Sequence, residues 1–193
     1  RKVVSVIDNP VVTAERLAVA DQPAEHTWLS TNGPPVVLSV GRLAEQKDHV
    51  TLLHAFAKAR STRPLRLVIL GVAGSEDKTA ERKSELMGLA RDLGVEQDVS
   101  LPGFVSNPYA YMSKASVFVL SSRYEGLPTV LVEAMACGCP VVSTACPGSV
   151  EILSDGKYGK LVAIGDAEEL ARSIITTLES ESDKSALRLR SLD

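Results

Sequence analysis

The sequence predicts an α/β fold, a doubly wound and mostly parallel sheet with helices on both faces, and three observations predict it. Short β-branched runs alternate with longer stretches whose apolar residues recur at helical spacing. The runs at 36–40 and 65–70 are apolar almost throughout. A strand with one face in water alternates polar and apolar residues, so runs of this kind suit a sheet covered on both sides. The chain has 193 residues, 45% apolar and 23% charged. That length lets a single domain bury roughly 70% of the surface it exposes when unfolded, so the sheet needs no disulfide or metal to hold it.

Taken in order, strands are expected at 3–7, 36–40, 65–70, 99–101, 117–120 and 141–143, each a short run rich in Val, Ile or Leu. Between and after them, 49–59, 80–93, 129–137 and 167–178 carry the helical period. Asp48 is placed to cap the first of these helices, and Gly94 and Gly138 stand where the second and third stop. The polar, Pro-containing segment 21–35 reads as a surface connection into the second strand. One domain is therefore assigned to 1–180, with 181–193 a tail or the start of a further helix. The chain begins on an apolar run with neither an initiator Met nor a signal-peptide core, and is expected to belong to something longer.

Composition excludes several functions. Lys plus Arg number 21 against 24 Asp plus Glu, a net charge of −3 with no block of one sign, which argues against a nucleic-acid footprint or a polybasic membrane face. The longest uncharged windows contain Pro and Gly and do not make a membrane helix. Cys137, Cys139 and Cys146 match neither a disulfide framework nor a four-ligand zinc pattern, and read as reduced core residues of a cytoplasmic protein. His49 and His54 are five apart and do not share the i, i+4 face of a zinc site, and His26 lies in a loop. No Walker-type loop, no Asp-x-Asp after a strand and no Gly-x-Ser-x-Gly elbow is present. No metal site is expected.

In doubly wound sheets, ligands bind beyond the carboxyl ends of the strands, so the loops after each strand carry the chemistry. Residues 126–150 hold one charge in 25 positions, Glu133, on a helix apolar on nearly every side. A carboxylate in that setting needs partners. Pro128 suits the first helical position, which leaves the amides of Thr129 and Val130 pointing out of a helix end that attracts phosphate. A diphosphate at those amides, with Glu133 one turn deeper accepting from a vicinal diol such as ribose, is a coherent nucleotide site; a neighbouring backbone group or an Arg is the alternative partner. Glu125, on the loop beside the same helix end, reads equally as a ligand or as a solvated glutamate. Arg42 and Lys47 follow the strand at 36–40 and supply cations where an anion would sit. Gly71 and Gly74, after the strand at 65–70, allow close backbone approach to a ligand or merely make the turn.

Glu125-Gly-Leu-Pro-Thr-Val-Leu-Val-Glu133 followed by Ala-Met-Ala-Cys-Gly-Cys-Pro-Val-Val142 resembles the E-x7-E signature of retaining glycosyltransferases of family 4. Val40-Gly-Arg-Leu with Lys47 is similar to that family's diphosphate loop, and Asn9-Pro10 resembles the entry to its C-terminal domain. The likeness covers about residues 1–180. It implies one half of a GT-B-type pair of Rossmann-like domains, the donor-binding C-terminal one, with the N-terminal half missing. It further implies a UDP- or GDP-sugar donor held without metal or other cofactor. Arg42 and Lys47 would hold the diphosphate, Glu133 the ribose and Glu125 the transferring sugar. Gly126, Leu127 and the amides of Thr129 and Val130 would line the donor, and the base would lie near Phe104 and Val105. The acceptor, a glycan or a lipid-linked molecule, would be bound by the missing half, which could also touch the cytoplasmic membrane face. The isolated chain is expected to be inactive. A non-catalytic nucleotide-sugar-binding module, or an epimerase or phosphorylase of the same architecture, is the alternative. Many members read Glu-Gly-Phe-Gly where this chain reads Glu125-Gly-Leu-Pro128, which leaves sugar identity open, and Cys146-Pro-Gly148 replaces a frequent Gly pair.

Overall fold

The computed structural model describes residues 12–30, 33–180 and 183–191; the run expected as a strand at 3–7 and the Asn9-Pro10 pair lie outside them. Two short helices come first, Ala14–Ala18 (α1) and Thr27–Ser30 (α2), then Val36–Val40 (β1), a 3-10 turn at Glu45–Lys47, His49–Thr62 (α3), Arg66–Leu70 (β2) and Glu76–Asp92 (α4). Val99–Gly103 (β3), Pro108–Met112 (α5), Val117–Leu120 (β4), Thr129–Ala136 (α6) and Val141–Thr144 (β5) follow. The chain then runs through Pro147–Ile152 (α7), Lys160–Val162 (β6), Ala167–Glu179 (α8) and Lys184–Arg190 (α9).

Among the described residues, six strands form one parallel sheet in the order β3-β2-β1-β4-β5-β6. Successive strand residues feed opposite faces: Leu38, Val68, Leu70, Phe118 and Leu120 pack under α5, α6 and α9, while Val37, Leu67, Ile69, Val117 and Val119 pack under α3, α4 and α8. This double burial is why the strands are apolar without alternation. At the full burial of Leu38, Phe118 and Leu120, each such side chain contributes about 1.5–3 kcal/mol relative to exposure.

The expected doubly wound fold is observed, with differences at short elements. The sequence reading passes over β6, whose three residues begin on a Lys, and over α1, α2, α5 and α7, none longer than six residues and so too short to set up a readable helical period. Of the two readings of the segment after 180, a tail or the start of a helix, the helix is observed over Lys184–Arg190 (α9), which packs on α6 and buries Leu187. Pro128 precedes α6 instead of occupying its first turn, with φ −75° and ψ 82°. Asp48 caps α3 as expected, accepting from the Thr51 amide at 3.2 Å, but does so in the left-handed conformation (φ 46°).

Candidate functional site

The order of strands reverses between β1 and β4, since the chain winds from β1 outward through β2 and β3 and then returns to add β4, β5 and β6 on the other side. Loops that leave the carboxyl ends of two such strands diverge and open a crevice. Here these are the loops carrying Arg42 and Lys47 after β1 and Glu125 after β4, and they are joined below the crevice. The Arg123 amide donates to the Gln46 carbonyl at 2.8 Å, and Gln46 Nε2 returns a bond to the Tyr124 carbonyl at 2.9 Å. Ser121 Oγ donates to the Lys47 carbonyl at 2.7 Å, and Arg123 Nε lies 3.1 Å from Asp48 Oδ2.

Lys47 Nζ donates to Glu125 Oε1 at 2.6 Å, and both side chains are mostly covered, 15% and 9% exposed. Ser122, wholly buried, donates from Oγ to the same carboxylate oxygen at 2.7 Å. Glu125 is therefore not the solvated loop residue that was one reading of the sequence. Arg42 is exposed and makes no ion pair among the described residues. Gly126, Leu127 and Thr129 are exposed, and Val130 is half-buried. The Thr129 amide does not point outward as the sequence suggests: it is turned onto the Leu127 carbonyl at 2.9 Å, because Pro128 stands before the helix and closes a tight turn there.

Glu133 has the partners its burial demands. The Tyr109 hydroxyl donates to Oε1 at 3.0 Å, and an Arg16 guanidinium nitrogen lies 3.6 Å from the same oxygen. Burial pushes the Glu133 carboxyl above the usual carboxylate range, opposed by the hydrogen bond from Tyr109 and the charge of Arg16. Burial, with the neighbouring Glu133 charge, pushes the Tyr109 phenol up to about 12, so at neutral pH it remains a protonated donor. Tyr109 sits on α5, capped by Asn107, whose side chain accepts from the Ala110 amide at 3.2 Å. The segment leading into that helix carries exposed Phe104 and half-buried Val105, so the residues expected near a base and the carboxylate expected at a ribose belong to adjacent elements. Tyr109 and Arg16 were not found from sequence, and Ser122 gave only its position three before Glu125.

Two glycines set the shape of the crevice. A Cβ on Gly148 would stand 2.0 Å from the Gly126 carbonyl oxygen, so only glycine lets α7 pack against the loop of Glu125. Gly71 has φ +147°, and a Cβ there would stand 1.8 Å from the Gly41 carbonyl oxygen. The close approach at Gly71 is thus between two strand-end loops of the protein itself.

Beside Lys47 and Asp48, His49 is 1% exposed and its Nδ1 has no hydrogen-bond partner among the described residues. Burial first, then the charges of Arg82 and Lys47, push its pKa down to about 4 from 6.5, against the opposing pull of Asp48. The imidazole is neutral in the folded protein while the unfolded chain takes up a proton below pH 6.5, so its contribution to stability is present at neutral pH and is lost on acidification. Urea unfolding is expected to show an acid loss from this residue of about 2 to 3 kcal/mol by pH 4.5, using about 1.4 kcal/mol per pH unit. In His49→Gln that part of the pH slope should vanish; an unchanged slope between pH 7 and 4.5 would refute it.

The family model of glycosyl transferases group 1 matches residues 22–191. The chain belongs to that family. It is 37% identical over 153 residues to a Campylobacter jejuni enzyme, N-acetylgalactosamine-N,N'-diacetylbacillosaminyl-diphospho-undecaprenol 4-alpha-N-acetylgalactosaminyltransferase, covering 79% of this chain and 40% of that protein. It is 34% identical over 194 residues to the lipopolysaccharide core biosynthesis glycosyltransferase LpsE of Rhizobium meliloti, covering 98% of this chain and 52% of that protein. Among solved structures, Anabaena Alr3699/HepE in complex with UDP and glucose superposes with a TM-score of 0.73 at 27% identity, over 94% of this chain and 47% of HepE. A glycosyltransferase from Rickettsia africae shares the fold with a TM-score of 0.77 at 19% identity, covering 93% of this chain and 47% of that one. The chain spans about half the length of the curated relatives it matches. Among the described residues no helix is long and apolar enough to cross a membrane.

Proposed function

We propose that this chain is the donor-binding, C-terminal half of a retaining glycosyltransferase of family 4 that transfers a sugar from a UDP- or GDP-sugar to a glycan or lipid-linked acceptor. The observation that carries this reading is the position of Glu125 and Glu133, eight residues apart, on either side of the start of α6 at the sheet's switch point, with Lys47 on Glu125 and Arg42 on the neighbouring loop. Similarity to HepE, whose structure is a complex with UDP and glucose, supports a nucleotide-sugar donor. The acceptor would meet the donor across the cleft formed with an N-terminal half, on the cytoplasmic side of the membrane.

The chemistry in this reading is electrostatic. As the bond from sugar to diphosphate breaks, negative charge grows on the leaving phosphate oxygens, and Arg42 and Lys47 stabilise it more in the transition state than in the ground state. The ribose hydroxyls donate to Glu133, one of whose oxygens is held by Tyr109 and Arg16. Glu125 orients the sugar. With only one wall of the cleft, donor binding without transfer is the expected behaviour of these residues alone.

Calorimetry of the chain with UDP and GDP in EDTA tests the reading. Binding is expected without Mg²⁺, because cationic side chains supply the positive field, and Glu133→Gln is expected to weaken it by about 1 to 3 kcal/mol with the fold intact. Binding that vanishes with chelation and returns with metal would overturn the assignment of Arg42 and Lys47, and unchanged affinity in a folded Glu133→Gln would make Glu133 a structural carboxylate.

A further inference from the structure

We propose that Ser122 is a positioning residue for Glu125, holding the carboxylate in place when Lys47 is drawn to the donor. The inference rests on the proposed nucleotide-sugar site and adds to it a residue that touches neither donor nor acceptor. Two donors share Glu125 Oε1: Lys47 Nζ at 2.6 Å and Ser122 Oγ at 2.7 Å. They differ in what they can do next. Lys47 ends in three freely rotating N–H donors on a flexible stem, lies on a 3-10 turn beside the crevice, and can turn to a diphosphate. Ser122 is wholly buried and its backbone is tied down, since its carbonyl accepts from Thr144 Oγ1 at 2.6 Å and from Cys146 Sγ at 3.3 Å. A hydroxyl fixed in that way has one charged acceptor within reach and no route to the ligand.

The consequence is a division of labour. When the diphosphate recruits Lys47, Glu125 loses its cation and would be free to swing, at a cost in the order of the sugar it is meant to align. The hydrogen bond from Ser122 persists, keeps Oε1 occupied and leaves the other carboxylate oxygen to the sugar. A preorganised acceptor of this kind contributes to sugar binding and not to binding of the nucleotide alone.

The test compares UDP with UDP-glucose, and GDP with GDP-mannose, by calorimetry on the wild type, Ser122→Ala, Glu125→Ala and the double variant. Ser122→Ala is expected to weaken the sugar nucleotide about tenfold relative to its own nucleoside diphosphate, the loss typical of one hydrogen bond to a charged acceptor. In the Glu125→Ala background the same change is expected to have no further effect, because the interaction acts only through that carboxylate. Ser122→Thr, which restores the hydroxyl, should recover the sugar-dependent share. If Ser122→Ala does not fold, Ser122→Cys, of similar volume and a weaker donor, takes its place in the cycle. Equal weakening toward UDP and UDP-glucose, or additive effects in the double variant, would assign Ser122 a purely structural role and overturn the proposal. Failure of the wild type to bind any of the four nucleotides is a different result: it overturns the nucleotide-sugar site and the proposal with it.

Discussion

Gly148→Ala is expected to cost about 3 kcal/mol of stability and to lower nucleotide affinity on the order of a hundredfold. The methyl group would lie 2.0 Å from the Gly126 carbonyl oxygen and a Pro128 ring carbon lies 2.9 Å from the same position, so neither contact can be relieved by rotating a side chain. Relief has to come from the backbone. Either α7 moves off the sheet, exposing buried Ser149 and Ile152, or the loop from Glu125 to Pro128 moves into the crevice. The first lowers stability and the second misplaces the residues at the start of α6. Urea unfolding midpoints and calorimetry with UDP or GDP separate the two, and a variant within about 0.5 kcal/mol of the wild type, the scatter of neutral surface substitutions, would refute the close packing of α7 on this loop. Gly126→Ala is the control for the stability measurement, since a Cβ there meets no protein atom within 4 Å.

Lys47→Ala is expected to act twice. Nucleoside diphosphate affinity should fall about 30-fold, within the range for hydrogen bonds to charged groups. Stability should fall by about 2 kcal/mol, because the carboxylate of Glu125 is left 9% exposed and without its cation. This is below the cost of breaking a fully sequestered pair, since both side chains keep some contact with water and the charge is partly screened. Adding Glu125→Ala removes the stranded charge and should restore most of the stability while leaving nucleotide affinity low. Recovery of both together would mean that Lys47 serves only to neutralise Glu125. An undiminished affinity in Lys47→Ala would remove it from the diphosphate site altogether.

Much of this molecule was legible from residue order. The apolar strands at 36–40 and 117–120 could be packed only inside a sheet covered on both faces, and the sheet is covered on both faces. The lone charge of Glu133 on an apolar helix required partners, and the structure supplies Tyr109 and Arg16. Their identity was not legible, because no local pattern relates Tyr109 to a carboxylate 24 positions later on another helix.

Residue order thus carries the class of fold, the loops in which chemistry would gather and the charged residues available there, since the periods of strand and helix are written in local composition and spacing. How those residues are paired follows from the folded sheet. Lys47 and Glu125 stand 78 positions apart and meet only because β4 is laid against β1 and their two loops are sewn together through Gln46, Ser121 and Arg123. The folded sheet also brought Gly148 against Gly126, 22 positions earlier in the chain. The physical reason is the same in each case: a side chain's propensity is set by its neighbours in the chain, whereas its partner is set by the order in which strands pair, and that order is a property of the whole sheet.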